Sequence, residues 1–266
     1  MHKFSWVGSQ KHFVDLPDIQ RVSNIIIGRF GGNSSAGQYK NEDGCLVWSN
    51  EENDWDFVML LDAHNSAESA ELVVNTITRE EQDLVRILNK SLPDSFIQME
   101  ENILRIFQNP MFLASCRETQ GETACLIVVR KGKYVWWFSV GDCILHLFHP
   151  ELAKMEQYLL NQRNFFEWIG YENTFELEVP CYSMGRRELR KGMNHLFLTT
   201  DGLTECPNGT FHNPVEIMKA FDNSESHQDS VMHLLKEIEE RGVRDSTTII
   251  SWVVDVEINA SEPSNL

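Results

Sequence analysis

The sequence predicts an α+β fold in which antiparallel strands stack as a sandwich. Two observations carry this expectation. Helical patterns arrive in pairs between groups of strands, whereas a doubly wound parallel sheet would alternate them singly. The stretch from Thr123 to Phe148 holds three β-branched and aromatic runs in quick succession, the strongest strand signal in the chain. With no internal repeat and no linker rich in Pro, Gly or Ser, a single domain over residues 1–266 is expected.

Taken in order, Val22 to Ile27 reads as a short buried strand leading into the glycine-rich Gly28 to Gly37. Cys45 to Ser49 and Phe57 to Asp62 read as two strands joined by the acidic turn Asn50 to Asp54. From Ser66 the spacing of Ala67, Ala70, Val73, Val74, Ile77, Leu84 and Leu88 predicts one amphipathic helix ending before Pro93. Phe96 to Phe107 is a second helix, with Pro110 just beyond it. Strands follow at Thr123–Arg130, Tyr134–Val140 and Cys143–Phe148, the first two joined at Lys131-Gly132-Lys133. Residues 151–194 read as an irregular, flap-like insertion. Its aromatic cluster of Phe165, Phe166, Trp168 and Tyr171 is expected to pack beneath it, ahead of the basic Arg186, Arg187, Arg190 and Lys191. A strand at His195–Thr200, helices at Pro214–Phe221 and Ser230–Arg241, and a strand at Thr247–Val256 complete the reading, before a polar, frayed tail after Ile258.

Apolar residues make up 42% and charged residues 24%, so a folded core is expected throughout. The net charge of −17 argues against nucleic-acid or anionic-membrane partners, which require a basic footprint. None of the six cysteines forms a CxxC pair, and they are expected to be structural thiols. No apolar run approaches the ~20 residues of a membrane span, and the N-terminus lacks a signal-peptide core. A cytoplasmic location is the corresponding expectation. The acidic Glu51 to Asp56 reads as a solvated hairpin tip.

Four aspartates stand at the ends or edges of apolar runs. Asp62 closes Val58-Met59-Leu60-Leu61, Asp142 follows Val140-Gly141, Asp201 follows Leu198-Thr199-Thr200, and Asp245 precedes the last strand. Carboxylates at strand ends can converge on one edge of a sheet, where they repel one another unless a cation neutralises them. Hard divalent cations prefer such oxygen ligands. The residues therefore suggest a divalent-metal site for hydrolysis.

With their neighbours, these segments resemble the metal-dependent type 2C family of protein serine/threonine phosphatases, from about Gly37 to Val254. Lys40-Asn41-Glu42-Asp43 resembles the family's early acidic motif, Leu61-Asp62-Ala63-His64 its Asp-Gly-His motif, and Gly121-Glu122-Thr123-Ala124 its strand entry. Val140-Gly141-Asp142 matches the Gly-Asp turn, Thr200-Asp201-Gly202-Leu203 the late Asp-Gly motif, and Arg244-Asp245-Ser246-Thr247 resembles the final one. The resemblance implies a four-layer α-β-β-α sandwich, with two Mn²⁺ or Mg²⁺ ions bridged by Asp62. Asp201 and Asp245 would complete one ion's shell. The carbonyl of Ala63 would serve the other, with Asp43 and Glu42 reaching it directly or through water. Asp142, with Asp201 and Glu205, would hold the weaker third ion that some members bind, and His64 would protonate the departing serine or threonine oxygen.

Three positions depart from the pattern. Ala63 replaces a glycine of which only a backbone carbonyl is asked, and Asn65-Ser66 replaces a glycine pair and should stiffen the loop after His64. Gln38 stands where the family carries a phosphate-binding arginine, and glutamine has neither the charge nor the bidentate fork. Arg29, or a basic residue between Arg186 and Lys191, is a spatial substitute to test. The expected activity is metal-dependent hydrolysis of phosphoserine and phosphothreonine in a phosphoprotein substrate. The competing readings are a phosphatase-like regulatory module without turnover and a hydrolase of another phosphoester on the same scaffold.

Overall fold

The computed structural model describes residues 1–262. β1 (His2–Val7) precedes a tight pair, β2 (Asp18–Val22) and β3 (Ile25–Phe30), and then the hairpin of β4 (Gly44–Asn50) and β5 (Trp55–His64). Helices α1 (Glu68–Arg79), α2 (Glu81–Leu88), α3 (Asp94–Phe107) and α4 (Pro110–Cys116) follow. Next come β6 (Glu122–Lys131), β7 (Tyr134–Val140), β8 (Ile144–Phe148), α5 (Pro150–Ala153), the short β9 (Ile169–Gly170) and β10 (Ser183–Glu188). β11 (Gly192–Thr199), α6 (Asp201–Thr204), α7 (Pro214–Asp222), α8 (His227–Glu240) and β12 (Thr247–Val256) end the order.

The strands form two sheets with only antiparallel pairings among the described residues. One runs β1-β4-β5-β6-β7-β10, with β9 added to the end of β6; the other runs β2-β3-β12-β11-β8. Alternation along each strand sorts the core. In β5, Trp55, Phe57, Met59 and Leu61 face α1 to α4, whereas Val58 and Leu60 face the second sheet. In β12, Ile250 and Trp252 join the inter-sheet core, while Ile249 packs outward with α7 and α8. The outer helices supply matching stripes, Ala70-Val73-Val74-Ile77 on α1 and Val231-Leu234-Leu235-Ile238 on α8. The result is the expected four-layer α-β-β-α sandwich.

Several local expectations are corrected. The strand read at Val22–Ile27 is a hairpin, β2 and β3, turning at Ser23, whose φ of 55° is left-handed. The N-terminal strand β1 had no sequence expectation and pairs with β4. The single helix after Ser66 is two, α1 and α2, broken at Glu80 (φ −87°, ψ 4°), and the seven-residue spacing of Ile77 and Leu84 runs unbroken across that break. Pro110 does not end a helical region but starts α4: Asn109 caps the nitrogen of Met111 at 2.8 Å, with proline at the first turn, where it loses no hydrogen bond. The strand beginning at Cys143 leaves the first sheet and pairs with β11 in the second.

Residues 151–194 are also more ordered than expected, since β10 extends the first sheet along β7. The aromatic cluster is not packed beneath a flap: Phe166 is 84% exposed and Tyr171 61%. The hairpin tip is only partly solvated. Asp56 is buried and accepts from Ser49 Oγ at 2.7 Å and from Nε of Arg130, its cross-strand partner, at 2.8 Å. Five cysteines are buried free thiols, and Cys181 is exposed. No helix among the described residues is long and apolar enough to cross a membrane. Part of the tail read as frayed lies outside the described residues.

His146, on the outward face of β8, is buried against Phe148 and near Phe197, and neither ring nitrogen has a hydrogen-bond partner among the described residues. Burial pushes its pKa down to about 4. The stability tied to its neutral form is complete above the unfolded value near ~6.5 and is lost as pH falls from there towards about 4, a change of about 3 kcal/mol. His146→Phe, which preserves the aromatic stack, is expected to remove that component. Urea unfolding at neutral pH and near pH 4 checks it, and equal losses in both proteins would show that His146 is not the source.

Candidate active site

Strand parity directs the acidic residues to one place. Asp62 shares the parity of Val58 and Leu60 and lies at the end of β5, so it extends the inward-facing row at the rim of the inter-sheet core. Asp43 precedes β4 with the parity of Cys45 and Val47, which face the same core. From the second sheet, Thr200 continues the row of Leu196 and Leu198, and Thr248 that of Ile250 and Trp252. These rows meet: Oδ2 of Asp43 accepts from Thr248 Oγ1 at 2.7 Å and from Thr200 Oγ1 at 3.4 Å, and Asp43 N donates to Asn41 Oδ1 at 2.9 Å. The two sheets are thus stitched together where the carboxylates gather.

Asp201 opens α6 directly after Thr200, and Asp245 lies between α8 and β12 with its Oδ1 accepting from Ser246 N at 2.9 Å. Gly202 fits because any Cβ there would lie 2.2 Å from the carbonyl oxygen of Ser246, so α6 rests directly on the start of β12. Gly141 adopts a φ of +85°, and its Cβ would lie 2.5 Å from that of Ala124, which explains the glycine before Asp142.

The electrostatics show the crowding. Burial, followed by the charges of Asp43, Asp201, Asp245 and Asp142, holds the carboxyl of Asp62 well above the usual range. Burial also raises Asp43, opposed by its threonine hydrogen bonds and reinforced by Asp245 and Asp201. Asp201 is raised to about 7 by burial first, then by Asp245, Asp142 and Glu205, with Arg163 pulling the other way. Asp245, whose outer edge meets solvent, is raised by desolvation of its carboxylate and lowered most by the nearby charge of His64.

Among the described residues no three Asp, Glu, His or Cys side chains form a ready-made metal cage. The donor set nonetheless fits a hard cation. Oδ2 of Asp62 and Oδ1 of Asp201 are buried oxygens without a hydrogen-bond partner among the described residues, and such atoms are costly unless something positive meets them. Asp43, Asp62, Asp201 and Asp245 could hold such a cation. Ala63 lies within β5, opposite Thr123, on an ordinary strand backbone.

A cleft of about 530 Å³ opens beside Asp245, lined by Gln38, Lys40, Glu42, Arg244 and Glu205 among others. His64 is exposed at the end of β5. Asn65 follows in the left-handed region at φ 71°, which asparagine tolerates, and its carbonyl accepts from Lys40 Nζ at 2.6 Å. Lys40 also pairs with Glu42 at 2.6 Å. Gln38 is buried in the cleft wall, with its Oε1 accepting from Tyr39 N at 3.2 Å. Neither Arg29 nor any basic residue from Arg186 to Lys191 lines the cleft. Arg29 is buried against Phe4, Trp6 and Phe13 and paired with Asp18, and Arg186 is paired with Glu100 at 2.9 Å on the helix side of the first sheet. Sequence reasoning missed Arg244 as a cleft-lining cation, although its place beside Asp245 was a signal. Arg163, which joins Asp142 to Glu205, carried no motif by which to find it.

No protein-family model matches this sequence, and no curated protein matches it. The fold has clear counterparts among solved structures. The crystal structure of a bacterial serine phosphatase is similar at a TM-score of 0.65 and 15% identity, covering 88% of this chain and 98% of its own. The serine/threonine phosphatase Stp1 from Staphylococcus aureus gives 0.62 at 14% identity, covering 90% and 96%. RsbX in complex with magnesium gives 0.56 at 14%, covering 90% and 100%. At these identities the likeness is one of fold: the chain has the fold of bacterial serine/threonine phosphatases.

Neutralising one crowded carboxylate should relieve both its desolvation and its repulsion. Asp62→Asn is therefore expected to stabilise the metal-free protein by about 0.5–2 kcal/mol. Urea unfolding in chelator measures this, and a less stable variant would show that the Asp62 charge is compensated in the folded state.

Proposed function

We propose that this chain is a divalent-metal-dependent phosphatase acting on phosphoserine and phosphothreonine in proteins. The observation that carries the reading is the convergence of Asp43, Asp62, Asp201 and Asp245 from both sheets on one rim, with buried oxygens of Asp62 and Asp201 unpartnered beside an open cleft. The fold shared with serine/threonine phosphatases supports it, and the magnesium in the RsbX structure supports a hard cation. Two Mn²⁺ or Mg²⁺ ions, held by these aspartates with the Ala63 carbonyl and with Glu42 nearby, would supply electrostatic clamping of a phosphoryl group and acidify water for in-line attack.

The chain's own residues do the rest. Thr200 and Thr248 fix the rotamer of Asp43, and the β5–β6 and β11–β12 ladders hold Asp62 and Asp201 on rigid elements. His64 stands at the rim beside Asp245, close enough for its charge to be felt there, and is placed to give a proton to the leaving oxygen. Lys40 is already neutralised by Glu42. Arg244 lines the cleft with no ion-pair partner among the described residues, and it takes over the phosphate-anchoring role that Gln38 cannot fill. The neutral Gln38 also favours a second reading, a phosphatase-like regulatory module without turnover, and the same assay separates the two.

Hydrolysis of a phosphothreonine peptide is expected to require added Mn²⁺ or Mg²⁺ and to stop in EDTA. Full activity after exhaustive chelation would overturn the metal-dependent reading, and no turnover in protein that binds Mn²⁺ would favour the regulatory one. Gln38→Arg adds a charge-assisted contact of about 1.5–3 kcal/mol and should lower the Ki for inorganic phosphate about tenfold, whereas Arg244→Ala should raise it by a similar factor. An unchanged Ki in folded, metal-loaded Arg244→Ala would remove Arg244 from the phosphate site.

A further inference from the structure

The residues expected to hold a third ion are already occupied by a side chain. Arg163 Nε donates to the carbonyl oxygen of Asp142 at 3.0 Å, and its Nη2 lies 2.8 Å from Oε1 of Glu205 and 3.8 Å from Oδ2 of Asp142. One guanidinium therefore bridges the Gly141-Asp142 turn at the end of β7 and the end of α6. A divalent cation shared by Asp142 and Glu205 would compete for the same oxygens and repel this charge.

The position of Arg163 is built, not incidental. Two residues earlier, the buried Asn161 donates through Nδ2 to Ser139 Oγ at 3.0 Å and to the Cys143 carbonyl at 2.8 Å, and its Oδ1 accepts from Leu145 N at 2.8 Å. On the other side, Asn164 N donates to the Gly141 carbonyl at 2.8 Å. These bonds pin the backbone around Arg163 across the turn that carries Asp142. The guanidinium also lies over the Phe165 ring at 4.7 Å, which restricts its freedom on the outer side.

We propose that Arg163 is an internal cation standing where a third metal ion would otherwise sit, so that this chain binds two divalent ions and not three. The inference rests on the metal-site reading above and deepens it. It assigns the insertion a place in the site: the segment carrying Arg163 supplies positive charge between the acidic Asp142 and Glu205. Arg163 acts through Asp142 and Glu205 and is a positioning residue. No bond is made or broken in this role.

The test counts ions and does not depend on turnover. Purified protein is stripped with chelator and titrated with Mn²⁺, free ion being read by its electron paramagnetic resonance signal and heat by calorimetry. The wild type is expected to bind two ions. Arg163→Ala should bind a third, weaker one, and Arg163→Ala combined with Asp142→Asn should return to two. Arg163→Gln, which keeps polar contacts without the charge, should also admit the third ion and serves if the alanine variant is poorly folded. Three ions in the wild type, or two in both folded Arg163 variants, would overturn this proposal alone. No bound Mn²⁺ in the wild type would overturn the metal-site reading and this proposal with it.

Discussion

Four carboxylates forced together at the rim of an apolar sandwich are the constraint on which the rest of this structure depends. Burial and mutual repulsion both press Asp43 and Asp62 towards the neutral form, and the same forces lift Asp201 to about 7. A fold would not hold such a cluster by local preference alone. It is held because Asp62 and Asp201 lie at or just after the ends of β5 and β11, and Asp43 and Asp245 just before β4 and β12, strands locked into ladders whose inward residues fill the inter-sheet core. The stability of the sandwich supports a rim that is itself destabilising, which is the usual relation between a rigid scaffold and a reactive site.

The chain distributes positive charge around this rim sparingly. Arg29 and Arg130 are buried but committed elsewhere, Arg29 to Asp18 and a ring of aromatics, Arg130 to Asp56 across the β5–β6 ladder. Lys40, Arg163 and Arg244 remain at the site. Lys40 ties Glu42 to the loop after His64, and Arg163 ties Glu205 to the Asp142 turn. Arg244 alone stands at the cleft without an ion-pair partner among the described residues. The neutral Gln38 therefore does not leave the cleft without a cation. The free one comes from the approach to β12, at a contact so close that a Cβ added at Gly32 would lie 2.1 Å from the Arg244 carbonyl oxygen.

Where the sequence reading failed, the physical reasons are local. A seven-residue spacing from Ile77 to Leu84 makes two helices look like one, because the apolar periodicity runs on through the break at Glu80. Pro110, just beyond the second helix, opens a further one, since Asn-Pro also marks a helix start. The aromatic cluster at 165–171 is expected to pack under a flap, yet composition alone does not say whether a segment folds under or over its neighbours.

The sequence by itself determined the α+β class, the closing strand Thr247–Val256 and the strand-end setting of each aspartate. Alternating and 3.6-residue patterns record which face of an element is buried, and a polar residue ending an apolar run records where the chain leaves the core. Only the tertiary structure decided which strands share a sheet, that β8 crosses to the second sheet, and that Asp43 meets Thr200 and Thr248 across the sandwich. It alone placed Arg163 between Asp142 and Glu205 and Arg244 in the cleft. The bond from Thr248 to Asp43 joins residues 205 positions apart. No local pattern encodes such pairings, because they depend on how two finished sheets are laid face to face.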